Sequence, residues 1–137
     1  MLAAAGGAAG HCIGPVQVEG EWLHIPSRIY TPEAFTYPEN LLPEKQRAVV
    51  ACLYTRHCDG YVRDREVMKL LPINEPWVAP FVVQLAGEYV VQIIQHMYAN
   101  VGVMPIDCYK RFAAENLGFI VSTQFFARIL RKRSDFF

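Results

Sequence analysis

Apolar residues recur at helical spacing through the middle of the chain, beginning at Pro43. A proline followed by an acid is typical of a first helical turn, and apolar positions three and four apart then continue to about His57. The Asp59-Gly60 pair predicts a tight turn. A second amphipathic helix follows and ends before Pro72, which cannot continue it. The pattern therefore predicts a helical hairpin, which is a scaffold unit.

A long apolar stretch, residues 76–104, predicts the central helix of the domain. Its polar side chains fall within about one third of the helix circumference at 100° per residue. One polar stripe is therefore expected to face solvent along an otherwise buried helix. Gly87 leaves open a division into two shorter helices. The stripe contains Gln95 and a predicted interaction surface of Gln84, Glu88, Gln92 and His96.

Two further helices are predicted after Pro105. Asp107 is the expected N-cap of a helix that runs through Asn116, where Asn-Leu-Gly indicates a stop. The last helix is expected from about Phe119 to Lys132, with cations at its C-terminal end, where they interact favourably with the helix dipole. These cations form a predicted basic patch of Arg128, Arg131, Lys132 and Arg133.

Apolar and polar residues alternate on both sides of Glu19-Gly20, which predicts two short strands or an extended arm. Residues 31–43 carry three prolines, so they are expected to lie as an ordered arm across the helices. Residues 1–14 are expected to be a disordered leader. The predicted fold class is all-α. We expect one domain, residues 15–137, built as a small bundle or a short stack of antiparallel helix pairs with an N-terminal extended or β arm, residues 15–43.

The charge balance argues against some classes of function. Lys and Arg number 13, as do Asp and Glu, so no overall field attracts nucleic acid or an anionic membrane. The balance hides an asymmetry, because residues 1–43 carry a net charge of −3 and residues 101–137 carry +3. We expect these two segments to attract each other in preference to an external ligand. An apolar fraction of 53% is high for a globular protein and predicts a partner protein or a homo-oligomer.

The predicted location is cytoplasmic, without membrane association. Residues 76–104 are long enough to raise the question of a membrane span, but a mid-helix carboxylate such as Glu88 costs about 2.5–3.5 kcal/mol on insertion. The four cysteines are too few and too scattered for a disulfide framework, which favours reduced thiols.

The run DGYVR at residues 59–63, followed by Val67 and Leu70-Leu71, resembles the second helix of a HEAT-type repeat. In that family an Asp in the turn and a Val-Arg pair open a helix that packs against its predecessor. The run GEYVV at residues 87–91 looks like a second, degenerate copy, and Glu66 stands where the family usually packs a small residue. The resemblance covers roughly residues 44–100. It implies a short stack of helix pairs that presents a surface to other macromolecules, with Asp59, Gly60 and Arg63 as a structural turn.

Catalytic and metal-binding hypotheses rest on few side chains. Cys52, His57 and Cys58 lack the paired, closely spaced ligands of zinc sites, so no metal or cofactor is predicted. A Cys58 nucleophile with His57 as its base is disfavoured, because adjacent residues at a helix end are expected to point in different directions. Glu88 and His96 are the candidate acid and base of a small helical enzyme. A solvated or partner-facing stripe is the simpler interpretation.

Residues 44–71 also have the succession of elements of a helix-turn-helix DNA reader. The next helix is apolar from Trp77 to Val83 and belongs in a core, which argues against nucleic acid as a partner. The candidate phosphate contacts on this hairpin are Arg56, Arg63, Arg65 and Lys69.

The leading hypothesis is a non-enzymatic protein-interaction or scaffold domain whose partner is another protein or a second copy. One alternative is a nucleic-acid-binding protein that uses the basic patch. The other is a small helical enzyme with a cleft at Glu88 and His96.

Overall fold

The computed structural model of the chain describes residues 12–30, 42–88 and 90–121. Most of the described residues are helical, and a two-stranded antiparallel sheet lies at the N-terminal end. The elements in chain order are β1 (Cys12–Val18), β2 (Glu21–Pro26), α1 (Glu44–Tyr54), α2 (Gly60–Leu70), α3 (Ala79–Ala86), α4 (Val91–Ala99), a 3₁₀ turn (Val101–Val103), α5 (Ile106–Glu115) and α6 (Leu117–Val121).

The predicted strand pair at Glu19-Gly20 is confirmed as a β-hairpin. Val18 pairs with Glu21, so the loop is the two-residue Glu19-Gly20 turn. Both turn residues have positive φ, 51° at Glu19 and 85° at Gly20. Two successive positive φ values define the type I′ turn, whose twist matches that of the flanking strands. Gly20 adopts this conformation without steric cost. Glu19 adopts it at a steric cost, because its Cβ crowds the backbone at positive φ.

The predicted helical hairpin consists of α1 and α2, which pack against each other. α1 ends at Tyr54, and α2 begins at Gly60. Asp59 is the N-cap of α2, where its carboxylate accepts a hydrogen bond from the Tyr61 N–H. Ile29 pairs with His57 in an isolated parallel bridge, so the chain after β2 is fixed to the turn between the two helices.

The long apolar stretch forms two helices instead of one central helix. Gly87 is the C-cap of α3, and its N–H donates to the carbonyls of Val83 and Gln84. α3 is buried at every position except Gln84 and lies in the centre of the core. No helix in the described parts of the chain is long and apolar enough to cross a bilayer.

The C-terminal boundaries differ from the prediction in two places. Pro105 occupies the N-cap position of α5, so Asp107 is not the cap and lies in the first turn instead. A carboxylate there still interacts favourably with the helix dipole. α6 begins at Leu117, two residues earlier than expected. The basic patch, the leader up to residue 11 and most of the proline-rich arm lie outside the described residues.

Candidate functional site

The predicted polar stripe is divided between two helices with different surroundings. Gln84 and Glu88 lie at the end of α3, where both are partly buried, and the Gln84 amide donates to Glu88 Oε2 at 3.3 Å. Gln92 and His96 are exposed on α4. His96 Nδ1 lies 2.8 Å from an Asp64 carboxylate oxygen of α2. The stripe is therefore two separate polar groups, and its candidate acid and base have different partners.

Glu88 is the partner of a buried arginine. The Arg56 side chain is 1% exposed, and its Nη2 lies 2.6 Å from Glu88 Oε2. Arg56 also donates from Nε to the Pro26 carbonyl at 3.0 Å and from Nη2 to the Ser27 carbonyl. One guanidinium thus joins the turn after α1, the end of β2 and the end of α3. Arg56 has a structural role, and its predicted phosphate contact is wrong because the side chain is buried.

Two further arginines surround this ion pair. Arg28 Nη1 lies 3.6 Å from Glu88 Oε1 and 3.5 Å from the His57 carbonyl oxygen. Burial lowers the pKa of the Arg56 guanidinium, Glu88 opposes that effect, and the charges of Arg28 and Arg63 lower the pKa further. Glu88 is therefore the carboxylate that makes this concentration of positive charge tolerable.

Asp59 and Arg63 of the predicted structural turn are joined by a backbone hydrogen bond. The Arg63 N–H donates to the Asp59 carbonyl at 3.1 Å, while the Asp59 side chain caps the helix. A Cβ placed on Gly60 would lie 3.2 Å from Arg63 Nη2, so the guanidinium lies directly over this glycine. Glycine at position 60 leaves room for it.

His57 and Cys58 do approach each other, contrary to the expectation that adjacent side chains diverge. Cys58 Sγ lies 3.9 Å from His57 Nδ1. The same nitrogen accepts the Asp59 backbone N–H at 3.0 Å, so its lone pair is already used. A nitrogen occupied in this way does not serve as a base for the thiol. In the described ranges, no group of three or more His, Cys, Asp or Glu side chains is arranged to hold a metal ion.

A groove that the sequence did not indicate lies between the β-hairpin and the segment before α3. Its volume is about 330 Å³. Trp22 of β2 is 62% exposed on one side, and Trp77 is half-buried on the other. Trp77 Nε1 donates to Glu75 Oε2 at 3.1 Å, which fixes the indole beside a carboxylate. We call this the aromatic–acidic groove; it is lined by Val18, Glu19, Glu21, Trp22, Leu23, Glu75, Pro76 and Trp77.

The chemistry of the aromatic–acidic groove suits a cation. Indole faces attract ammonium and guanidinium groups within about 6 Å of the ring, and the three glutamates lining the groove add opposite charge. None of the described residues that line it is basic. The available sequence signals were two short Glu/Trp runs, EGEW at 19–22 and EPW at 75–77. They are more than 50 positions apart, so only the fold shows that they line one groove.

Comparison with known proteins gives no relative to this chain. No family profile matches it, and neither the curated proteins nor the solved structures contain a significant match.

Proposed function

We propose that this chain is a non-enzymatic protein-interaction domain that binds a positively charged segment of a partner protein in the aromatic–acidic groove. The observation that carries the proposal is the joining of Trp22, Trp77 and three carboxylates in one open groove. An exposed tryptophan is a common energetic anchor of interfaces, since it contributes a large contact area with little conformational freedom to lose.

The helical hairpin supports a scaffold role for the rest of the chain. α1 packs on α2, α2 contacts α4, and a turn at Gly87-Glu88 precedes α4 much as the Asp59-Gly60 turn precedes α2. On this proposal the helices form a short HEAT-like stack of antiparallel pairs. The stack holds the segment containing Glu75 and Trp77 opposite the β-hairpin.

The test measures binding of two fluorescein-labelled peptides by anisotropy at low ionic strength. The peptide Ac-AKARAKA-NH₂ is basic, and Ac-AEAEAEA-NH₂ is its acidic counterpart. We expect the basic peptide alone to bind. Trp22→Ala is expected to weaken binding roughly fivefold to thirtyfold, which corresponds to a cation–π contact of about 1–2 kcal/mol.

Matched variants separate the groove from general surface effects. Glu75→Gln should weaken binding because it removes a carboxylate beside Trp77, whereas Tyr61→Ala removes an exposed aromatic ring outside the groove and should change nothing. Equal binding of both peptides, no binding of the basic peptide, or an unchanged affinity in Trp22→Ala would each overturn the proposal.

A further inference from the structure

The main chain of β2 pairs with β1 on one side, and no other strand of the described ranges pairs with its second side. Val18 and Glu21 close a two-residue turn, so they form a hydrogen-bonded pair, and pairs alternate along the ladder from there. Gln17–Trp22 and Pro15–His24 are consequently the non-hydrogen-bonded pairs. The N–H and C=O groups of Trp22 and His24 therefore point away from β1. Pro15 fits this register, because its missing N–H would also have pointed out of the ladder.

The two edges of the sheet differ in what covers them. At the outer edge of β1, the Gln17 N–H donates to Asn116 Oδ1 at 2.7 Å and the Gln17 carbonyl accepts from Asn116 Nδ2 at 2.8 Å. At the outer edge of β2, the main-chain groups of Trp22 and His24 have no hydrogen-bond partner among residues 12–30, 42–88 and 90–121. Both side chains are exposed there. Within the described part of the chain the outer edge of β2 is therefore unpaired, and it borders the aromatic–acidic groove at Trp22.

We infer that the basic partner segment binds in extended form as a third strand on β2, pairing its main chain with Trp22 and His24. This inference rests on the proposed function of the groove and adds how the segment is held. An unpaired strand edge is a template for an added strand, whose main chain supplies affinity while alternate side chains supply specificity. Side chains two positions apart fall on the same face of a strand. The recognised sequence is thus a Lys or Arg at every second position.

The first test compares amide hydrogen exchange by NMR with and without Ac-AKARAKA-NH₂. The amide protons of Trp22 and His24 should become protected on binding. The amide of Leu23 already pairs with Val16 and is the internal control. Protection at Trp22 and His24 before any peptide is added would mean that the edge is already covered, and would overturn the inference.

The second test alters single hydrogen bonds. His24→Pro removes the outward N–H of an edge strand together with the imidazole, at a position that accepts proline, and should weaken binding about tenfold. His24→Ala removes the imidazole and keeps the N–H, so it should bind like the parent protein. Two N-methylated versions of the peptide keep its charge and side chains, and each is methylated on the N–H groups that point to one edge of the extended peptide. Only the version whose methyl groups point away from β2 should bind. This comparison decides the question even if His24→Pro fails to fold.

The outcomes separate the two proposals. If the basic peptide fails to bind, both fall. If it binds and depends on Trp22, while both N-methylated peptides bind equally and no amide becomes protected, the groove keeps its proposed function and strand addition is wrong.

Discussion

Asn116 and Gln17 exchange two hydrogen bonds across 99 positions of sequence, at 2.7 Å and 2.8 Å. The same Asn116 amide donates to the Phe112 carbonyl of its own helix at 3.0 Å. Its neighbour Glu115 accepts the backbone N–H groups of Glu19 and Gly20, at 3.0 Å and 3.1 Å. The C-terminal end of α5 therefore holds the β-hairpin in place, and with it one wall of the aromatic–acidic groove.

Asn116→Ala is expected to lower the free energy of unfolding by about 1–3 kcal/mol. The substitution leaves the partly buried N–H and C=O of Gln17 without a partner, and such groups carry that cost. Urea denaturation measures the change. Leu117→Ala is the control, because Leu117 is 67% exposed and its truncation should cost less than about 0.5 kcal/mol. Equal losses in the two variants would contradict a specific role for the amide.

The two-residue turn gives a pair of predictions with opposite signs. A Cβ at Gly20 meets no atom within 4 Å, so the cost of Gly20→Ala comes only from its φ of 85° and should be about 1–2 kcal/mol. Glu19→Asn should stabilise the protein by about 0.5–1 kcal/mol. Asn-Gly is the preferred type I′ pair, whereas the backbone of a glutamate is strained at the φ of 51° found at position 19. Thermal unfolding of both variants measures the difference. A stabilising Gly20→Ala would exclude this turn geometry.

Local patterns were enough to predict much of the fold. Alternation around Glu19-Gly20 predicted the hairpin, helical spacing before and after Asp59 predicted α1 and α2, and Gly87 marked the division of the central stretch. Each of these signals comes from neighbouring residues, whose conformational preferences act over one or two turns. The α5 boundary was less accurate, since Asp107 and Pro105 are both acceptable near a helix start.

The site was less predictable, because it depends on contacts that sequence spacing does not encode. Arg56 looked like a surface cation, but its partner Glu88 is 32 positions away and the pair becomes buried only when α3 packs against the turn after α1. Glu88 was identified as a polar residue within the long apolar stretch, but it follows the end of α3 and pairs with Arg56, whereas His96 lies on α4 and pairs with Asp64. Trp22 and Trp77 line one groove only because the fold brings the β-hairpin to the segment before α3.

The buried ion pair predicts a large loss of stability in Glu88→Gln, about 3 kcal/mol. Arg56 would keep its buried charge without the carboxylate that compensates it, and breaking a buried pair costs about 3–5 kcal/mol. The Glu88 side chain is 16% exposed and therefore partly solvated, so we expect a loss at the lower end of this range. Glu21→Gln removes an exposed carboxylate and should cost less than about 0.5 kcal/mol.

A double-mutant cycle with Arg56→Met tests whether this loss belongs to the pair. Residues in direct contact couple by about 0.5–3 kcal/mol, so the double variant should lose less stability than the two single variants together. Additive losses would mean that Arg56 and Glu88 stabilise the fold through unrelated contacts.

Two buried thiols predict a loss of stability at alkaline pH. Burial raises the pKa of Cys52 and of Cys108 above the usual thiol value, so each thiol ionises at a higher pH in the folded protein than in the unfolded chain. In the unfolded chain they ionise near pH 8.5. Below that pH the thiols are protonated in both states, and their contribution to the free energy of unfolding is fully present. Above it the unfolded state binds fewer protons than the folded state, and the free energy of unfolding falls by up to about 1.4 kcal/mol per pH unit for each thiol.

Urea denaturation between pH 7 and 9.5 measures this slope. Cys52→Ala should reduce the slope by up to about 1.4 kcal/mol per pH unit, because one of the two protons no longer contributes. Val67→Ala is the matched control, since Val67 is equally buried and its truncation lowers stability at every pH without removing a titrating group. A slope that is the same in Cys52→Ala and in the parent protein would show that the Cys52 thiol ionises alike in the folded and unfolded states. That result would contradict the burial of the Cys52 side chain of α1 in the core.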